Sequence, residues 1–178
     1  MKTQVWAHRG ASAYAPENTL EAFRLAAEMG ADGVELDVQL SRDGELVVAH
    51  DETIDRVSNG TGYIKDYTLA QLKKLSFNRL FPKFKDARIP TLKEVYELLK
   101  PAGLTVNVEL KTGIILYPEI EEKVLALTAS MGMEDRVIYS SFCHPSLVRL
   151  KELDSGLKTG LLYSDGWIDA AAYGRHTV

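Results

Sequence analysis

Four short polar motifs carry residues that could do chemistry: His8-Arg9, Glu35-Leu-Asp37, His50-Asp51 and Glu109-Leu-Lys111. Glu35 and Asp37 alternate with Val34, Leu36 and Val38, and Glu109 and Lys111 alternate with Val108 and Leu110. If both segments are extended, the charged side chains of each share one face. Charge on such a face is unfavourable unless a metal, a partner or solvent receives it. Glu35 and Asp37 alone fit the solvated face of an amphipathic edge strand. Glu109 repeats the geometry on a separate strand, and three carboxylates converging on one point suit a hard cation with oxygen ligands. Mg²⁺ or Ca²⁺ is therefore expected rather than zinc, since no Cys or His cluster has zinc spacing. The three carboxyl groups must then lie less than about 8 Å apart. Two of the four histidines, His8 and His50, fall at strand ends facing these carboxylates. They suit general acid/base work, one accepting a proton and the other donating one. Arg9 and Lys111 add the positive charge that phosphate binding requires. His144 and His176 lack such company, and Cys143 reads as a small buried apolar residue.

Positioning these groups falls to strand-like runs that alternate with helical patterns, the signature of an α/β fold on a largely parallel sheet. In such sheets sites are built at the carboxyl ends of the strands. A first strand spans 4–7 and runs into His8-Arg9-Gly10. Asn18 or Thr19 caps a helix whose Leu20, Phe23, Ala26 and Ala27 share a face, and Gly30 ends it. A second strand covers 34–40. The connection to Leu46-Val-Val-Ala49 is too short for a helical crossover and carries an Asp43-Gly44 turn, which predicts an antiparallel hairpin. With a two-residue loop, Arg42 pairs with Glu45 and Asp37 lies opposite His50. Residues 51–90 read as a turn-rich insertion with a short helix over 69–75. A helix capped by Thr91 runs to Leu99, strands follow at 105–111, 137–142 and 158–163, and a helix spans 118–131. Six strands are visible.

The chain has 178 residues, 46% hydrophobic and 26% charged, with a net charge of −4. One globular domain with its own core is expected, and disorder is excluded on composition. The acidic balance and the lack of a Lys/Arg block argue against a nucleic-acid partner. No run reaches the roughly 18 apolar residues of a membrane span. A single cysteine and the lack of a signal-length apolar stretch at the start point to a cytoplasmic protein.

At these residues the sequence resembles the glycerophosphodiester phosphodiesterase family. His8-Arg9-Gly10, Pro16-Glu17-Asn18-Thr19, Gly33-Val-Glu35-Leu-Asp37-Val38, Asp43-Gly44, Val48-Ala-His50-Asp51, Pro90-Thr91-Leu92 and Val108-Glu109-Leu110-Lys111 occur in the family's order and approximate spacing. The resemblance implies a TIM-type (β/α) barrel and hydrolysis of a small-molecule glycerophosphodiester to glycerol 3-phosphate and an alcohol. It further implies a divalent cation held by Glu35, Asp37 and Glu109, an acid/base pair in His8 and His50, Arg9 and Lys111 toward the phosphate, and Glu17 in a supporting role. Attack by the substrate's own glycerol hydroxyl, giving a cyclic phosphate that water opens, is implied in the same way.

A barrel of this type takes about 250 residues, so the visible strands predict a barrel truncated after about six, with the C-terminal barrel units absent. The tail 167–178 has too few β-formers to supply two more strands. Closure would then need a second copy of the chain, as a homo-oligomer, or further residues, and a monomer is not expected to be self-sufficient as a catalyst. Two other readings compete. A sphingomyelinase D-like lipid phosphodiesterase shares the histidines and the E-x-D pattern, but is disfavoured by the insertion, the lone cysteine and the lack of a signal segment. An inactive phosphate-binding module follows from the truncation.

Overall fold

The computed structural model describes residues 3–166 and 168–177. Trp167 and Val178, both in the tail considered above, lie outside them.

Strands β1 (Trp6–His8), β2 (Gly33–Leu40), β3 (Leu46–Val48), β4 (Thr105–Leu110), β5 (Val137–Ser141) and β6 (Thr159–Leu161) form one sheet in the order β1-β2-β4-β5-β6, with β3 on β2. Among the described residues there are six strands, as expected, but the parallel series numbers five. Parallel strands in chain order, joined by helical crossovers, are the arrangement of a TIM-type barrel, here an open sheet. The outer edges of β1 and β6 have no strand partner among the described residues.

Helices α1 (Leu20–Glu28), α3 (Leu92–Leu99), α4 (Ile120–Ser130) and α5 (His144–Leu153) follow β1, the hairpin, β4 and β5; α2 (Leu69–Leu72) lies in segment 51–90 and α6 (Ala170–Thr177) in the tail. Of the two cap candidates, Thr19 caps α1, and Gly30 takes the left-handed conformation just beyond it. Thr91 and Glu94 form a capping box on α3. Helices α5 and α6 have no counterpart among the helices expected from the sequence. The first carries Pro145 at its first turn, where the missing N–H removes no helical bond.

The alternation on β2 and β4 is realised. Val34, Leu36, Val38, Val106, Val108 and Leu110 bury one face against the helices, together with Phe23, Leu92, Val95, Tyr96, Leu99, Ile120 and Val124. Glu35, Asp37 and Gln39 on β2, Asn107 and Glu109 on β4 and Ser140 on β5 occupy the other face. Segment 51–90 carries a smaller core of Ile54, Ile64, Leu72, Phe77 and Ile89 around Val47 and Ala49.

The hairpin is antiparallel, but its register is one residue from that expected. Val38 pairs with Val48, Gln39 with Val47 and Leu40 with Leu46. The loop has three residues: the Ser41 N–H donates to the Glu45 carbonyl at 3.0 Å, and Gly44 closes the turn at φ +78. A turn followed by a left-handed residue is the usual three-residue hairpin, and it shifts the pairing. Asp37 therefore lies opposite Ala49, whose N–H donates to the Asp37 carbonyl at 3.0 Å, rather than opposite His50.

Candidate active site

At the carboxyl end of β1 the chain reverses through Arg9 at φ 58 and Gly10 at φ 76. A Cβ on Gly10 would come within 2.8 Å of the Ala22 backbone, so both the turn and the contact call for glycine. The reversal aims the Arg9 N–H at β2, where it donates to the Glu35 carbonyl at 3.0 Å and to Glu35 Oε2 at 3.1 Å. His8 pairs with Glu35 in the strand register, and its Nε2 lies 3.7 Å from Glu35 Oε2. Asn18, also left-handed at φ 56, donates from its backbone to the Arg9 carbonyl at 3.0 Å and from Nδ2 to Asp37 Oδ2 at 2.8 Å. Two non-glycine residues in this strained region at one loop are a common mark of a functional site.

Asp37 and Glu109 are register partners on β2 and β4, which brings the two strands' acids side by side. Glu35, Asp37 and Glu109 each offer an oxygen within 4.8 Å of the others, well inside the limit set from the sequence. Asp37 is fully buried. Lys111 Nζ donates to Glu109 Oε1 at 3.0 Å and lies 3.9 Å from Asp37 Oδ1, while Arg9 Nε lies 3.7 Å from Asp37 Oδ2. These cations leave the cluster short of charge balance. Burial, then the Asp37 carboxylate, push Glu35 up to about 8. The same causes in the same order raise Glu109, against the pull of Lys111 and His50. Glu35 Oε1 and Asp37 Oδ1 are buried with no hydrogen-bond partner. Orphaned carboxylate oxygens in a tight acidic triad are what a divalent cation with oxygen ligands would satisfy.

His50 stands beyond the end of β3. Gln39 Nε2 lies 2.9, 3.2 and 2.7 Å from the carbonyls of Ala49, His50 and Asp51, and Tyr117 donates its hydroxyl to Gln39 Oε1 at 2.9 Å. Three successive carbonyls gathered on one amide require the chain to leave the extended conformation there, so strand alternation no longer governs the His50 side chain. His50 Nδ1 lies 2.7 Å from Asp51 Oδ1. Arg9 Nη1 donates to Glu17 Oε1 at 3.1 Å. Arg56, from segment 51–90, donates to both Glu17 and Asp51. Burial disfavours ionised Asp51 and Glu17, but Arg56, with His50 at Asp51 and Arg9 at Glu17, outweighs it and holds both carboxyls below the usual range.

All eight residues singled out from the sequence therefore gather at the carboxyl ends of the strands: His8, Arg9, Glu17, Glu35, Asp37, His50, Glu109 and Lys111. Arg9 and Lys111 rest against carboxylates. Asn18, Gln39 and Arg56 had no site role in the sequence reading. Gln39 is the third inward position of the 35, 37, 39 alternation, a signal that was available; Arg56 sits in a turn-rich segment with no such pattern.

Residues 8–175 match the Glycerophosphoryl diester phosphodiesterase family. A glycerophosphodiester phosphodiesterase of Caldanaerobacter subterraneus subsp. tengcongensis is 54% identical over 170 residues, covering 95% of this chain and 70% of the relative. A solved glycerophosphodiester phosphodiesterase from Agrobacterium tumefaciens superposes with a TM-score of 0.81 at 37% identity, over 89% of this chain and 66% of that one. A phosphodiesterase from Oleispira antarctica, solved in complex with the product sn-glycerol-3-phosphate, superposes with a TM-score of 0.82 at 34% identity, over 97% of this chain and 70% of that one. The chain thus spans about two thirds of the length of the proteins it matches, and with its parallel sheet and acidic triad it belongs to the glycerophosphoryl diester phosphodiesterase family.

Proposed function

We propose that the chain hydrolyses glycerophosphodiesters to glycerol 3-phosphate and an alcohol, with His8 and His50 as the acid/base pair. The observation that carries this reading is the acidic triad within 4.8 Å, flanked by two histidines and two cationic side chains at one end of a parallel sheet. Glu35, Asp37 and Glu109 would hold a divalent cation, Mg²⁺ or Ca²⁺, whose charge would stabilise the negative charge that builds on the phosphate oxygens.

The protein's own groups handle the protons. One histidine accepts the proton of the attacking hydroxyl while the other donates a proton to the leaving alkoxide, as the new P–O bond forms and the bond to the alcohol breaks. Attack by the neighbouring glycerol hydroxyl gives a cyclic phosphate, which water opens with the histidines exchanging roles. Asp51 holds the Nδ1 side of His50, which leaves Nε2 as the atom that works on the substrate. Arg9 and Lys111 turn part of their charge from Glu17 and Glu109 to the phosphate, with Glu17 keeping Arg9 in place. The same reading takes 1–178 as a single glycerophosphodiester phosphodiesterase-like domain that bears the 51–90 insertion and carries the barrel units up to about the sixth strand. It places the protein in the cytoplasm, among small molecules of glycerol and lipid metabolism.

Turnover of glycerophosphocholine and of sphingomyelin, each with saturating Mg²⁺ or Ca²⁺ and with chelator, tests it. Release of glycerol 3-phosphate that is abolished by chelator is expected. Hydrolysis of sphingomyelin alone, or of neither substrate, would overturn the reading.

A further inference from the structure

Arg56 belongs to the insertion, not to the sheet, and its hydrogen bonds go to Glu17 and Asp51 and not to the three acids of the triad. Its guanidinium grips two carboxylates at once. Nε and Nη2 donate to Asp51 Oδ2 and Oδ1 at 2.7 and 3.2 Å. Nη1 and Nη2 donate to Glu17 Oε2 and Oε1 at 2.8 and 2.7 Å, across 39 positions of sequence. Each carboxylate in turn holds one working side chain. Glu17 accepts from Arg9 at 3.1 Å, and Asp51 lies 2.7 Å from His50 Nδ1. The contacts therefore run in series from Arg9 through Glu17, Arg56 and Asp51 to His50, joining the loop after β1 to the loop after β3.

We propose that Arg56 is a positioning residue that locks the phosphate-binding Arg9 and the acid/base His50 into one arrangement, so that the insertion is part of the catalytic apparatus. The proposal rests on the hydrolase reading given above. Without the guanidinium, Glu17 and Asp51 become two carboxylates with no cation shared between them. Asp51 is then free to turn away from His50 Nδ1, and Glu17 competes with the phosphate for the whole charge of Arg9. Lysine cannot replace the planar fork, because an ammonium is a point charge that does not make two bidentate contacts. Nor is Arg56 needed to hold the insertion together. That segment has its own apolar core of Ile54, Ile64, Leu72, Phe77 and Ile89 packed on Val47 and Ala49.

Two measurements on Arg56→Lys and Arg56→Ala test the role. In turnover of glycerophosphocholine with saturating cation, both variants are expected to lose about 10- to 100-fold in kcat with a smaller change in KM, the size expected of misplaced catalytic groups. Millimolar guanidinium should restore part of the Arg56→Ala loss, whereas methylammonium at equal ionic strength should not. Independently of turnover, ¹⁵N spectra of the histidine rings should show His50 as a single Nδ1–H tautomer in the parent and as a mixture in Arg56→Ala. If the parent hydrolyses no glycerophosphodiester, the functional reading fails while the spectra still decide the role of Arg56. Parent-like kcat with an unchanged His50 spectrum would overturn the proposal. Loss of the folded state in both variants, read by circular dichroism and urea midpoint, would also overturn it, since Arg56 would then serve folding rather than the site.

Discussion

Replacing Glu35 by Gln isolates the electrostatic penalty of the acidic cluster. In the cation-free protein, burial first and the Asp37 carboxylate second push Glu35 to about 8 from an ordinary 4.5. Between those pH values the folded protein keeps a proton that the unfolded chain has released. The folded state therefore binds more protons, and stability falls as pH rises through this window. At roughly 1.36 kcal/mol per pH unit, the interval from 4.5 to about 8 sets a ceiling of about 5 kcal/mol on the loss. One proton in the cluster also relieves Asp37 and Glu109, so this ceiling applies to the cluster and is not summed over its members. The substituted glutamine cannot ionise, and its carbonyl oxygen can accept the Arg9 N–H that Glu35 accepts at 3.1 Å. Parent and Glu35→Gln should accordingly be about equally stable near pH 5. At pH 8 the variant should be more stable by about 2 to 4 kcal/mol, while lacking cation-dependent turnover. Urea titrations in chelator at pH 5, 6, 7 and 8 measure this directly. Adding Mg²⁺ or Ca²⁺ should raise the parent's midpoint more at pH 8 than at pH 5, because proton and cation compete for the same oxygens, and should raise the variant's far less. A parent that holds its stability relative to Glu35→Gln from pH 5 to pH 8 would refute the account of the cluster.

Three further outcomes are expected. His8→Ala and His50→Ala should each lower kcat by about 10² to 10⁴ with urea midpoints close to the parent's, since the side chains are 70% and 30% exposed and packing depends little on them; near-normal kcat in both under saturating cation would remove them as acid and base. Gly10→Ala should destabilise by at least about 1 to 3 kcal/mol in urea, because the left-handed backbone and the 2.8 Å approach to Ala22 both resist a Cβ. The 178-residue chain alone should self-associate through the open edges of β1 and β6, with sedimentation that depends on concentration. A stable monomer with full cation-dependent turnover would contradict that.

Much of the site was legible because its logic is local. Period-two alternation puts Glu35 with Asp37, and Glu109 with Lys111, on single faces of their strands, whatever the strands pack against. Parallel connection then brings their carboxyl ends to one side. Thr91 with Glu94, and Gly30 after α1, mark helix ends through bonds that span only a few residues. Tertiary structure decided what those patterns leave free. The hairpin register turned on whether Arg42 belongs to the strand or to the loop, a choice made by the left-handed Gly44 and the Ser41–Glu45 bond, and a one-residue slip moved Ala49 opposite Asp37 in place of His50. The aim of His50 came from the Gln39 amide and Tyr117, whose donor and acceptor lie 78 positions apart. Arg56 found its carboxylates on two separate loops. Such partners are set by which loops meet in space, and no spacing along the chain encodes that.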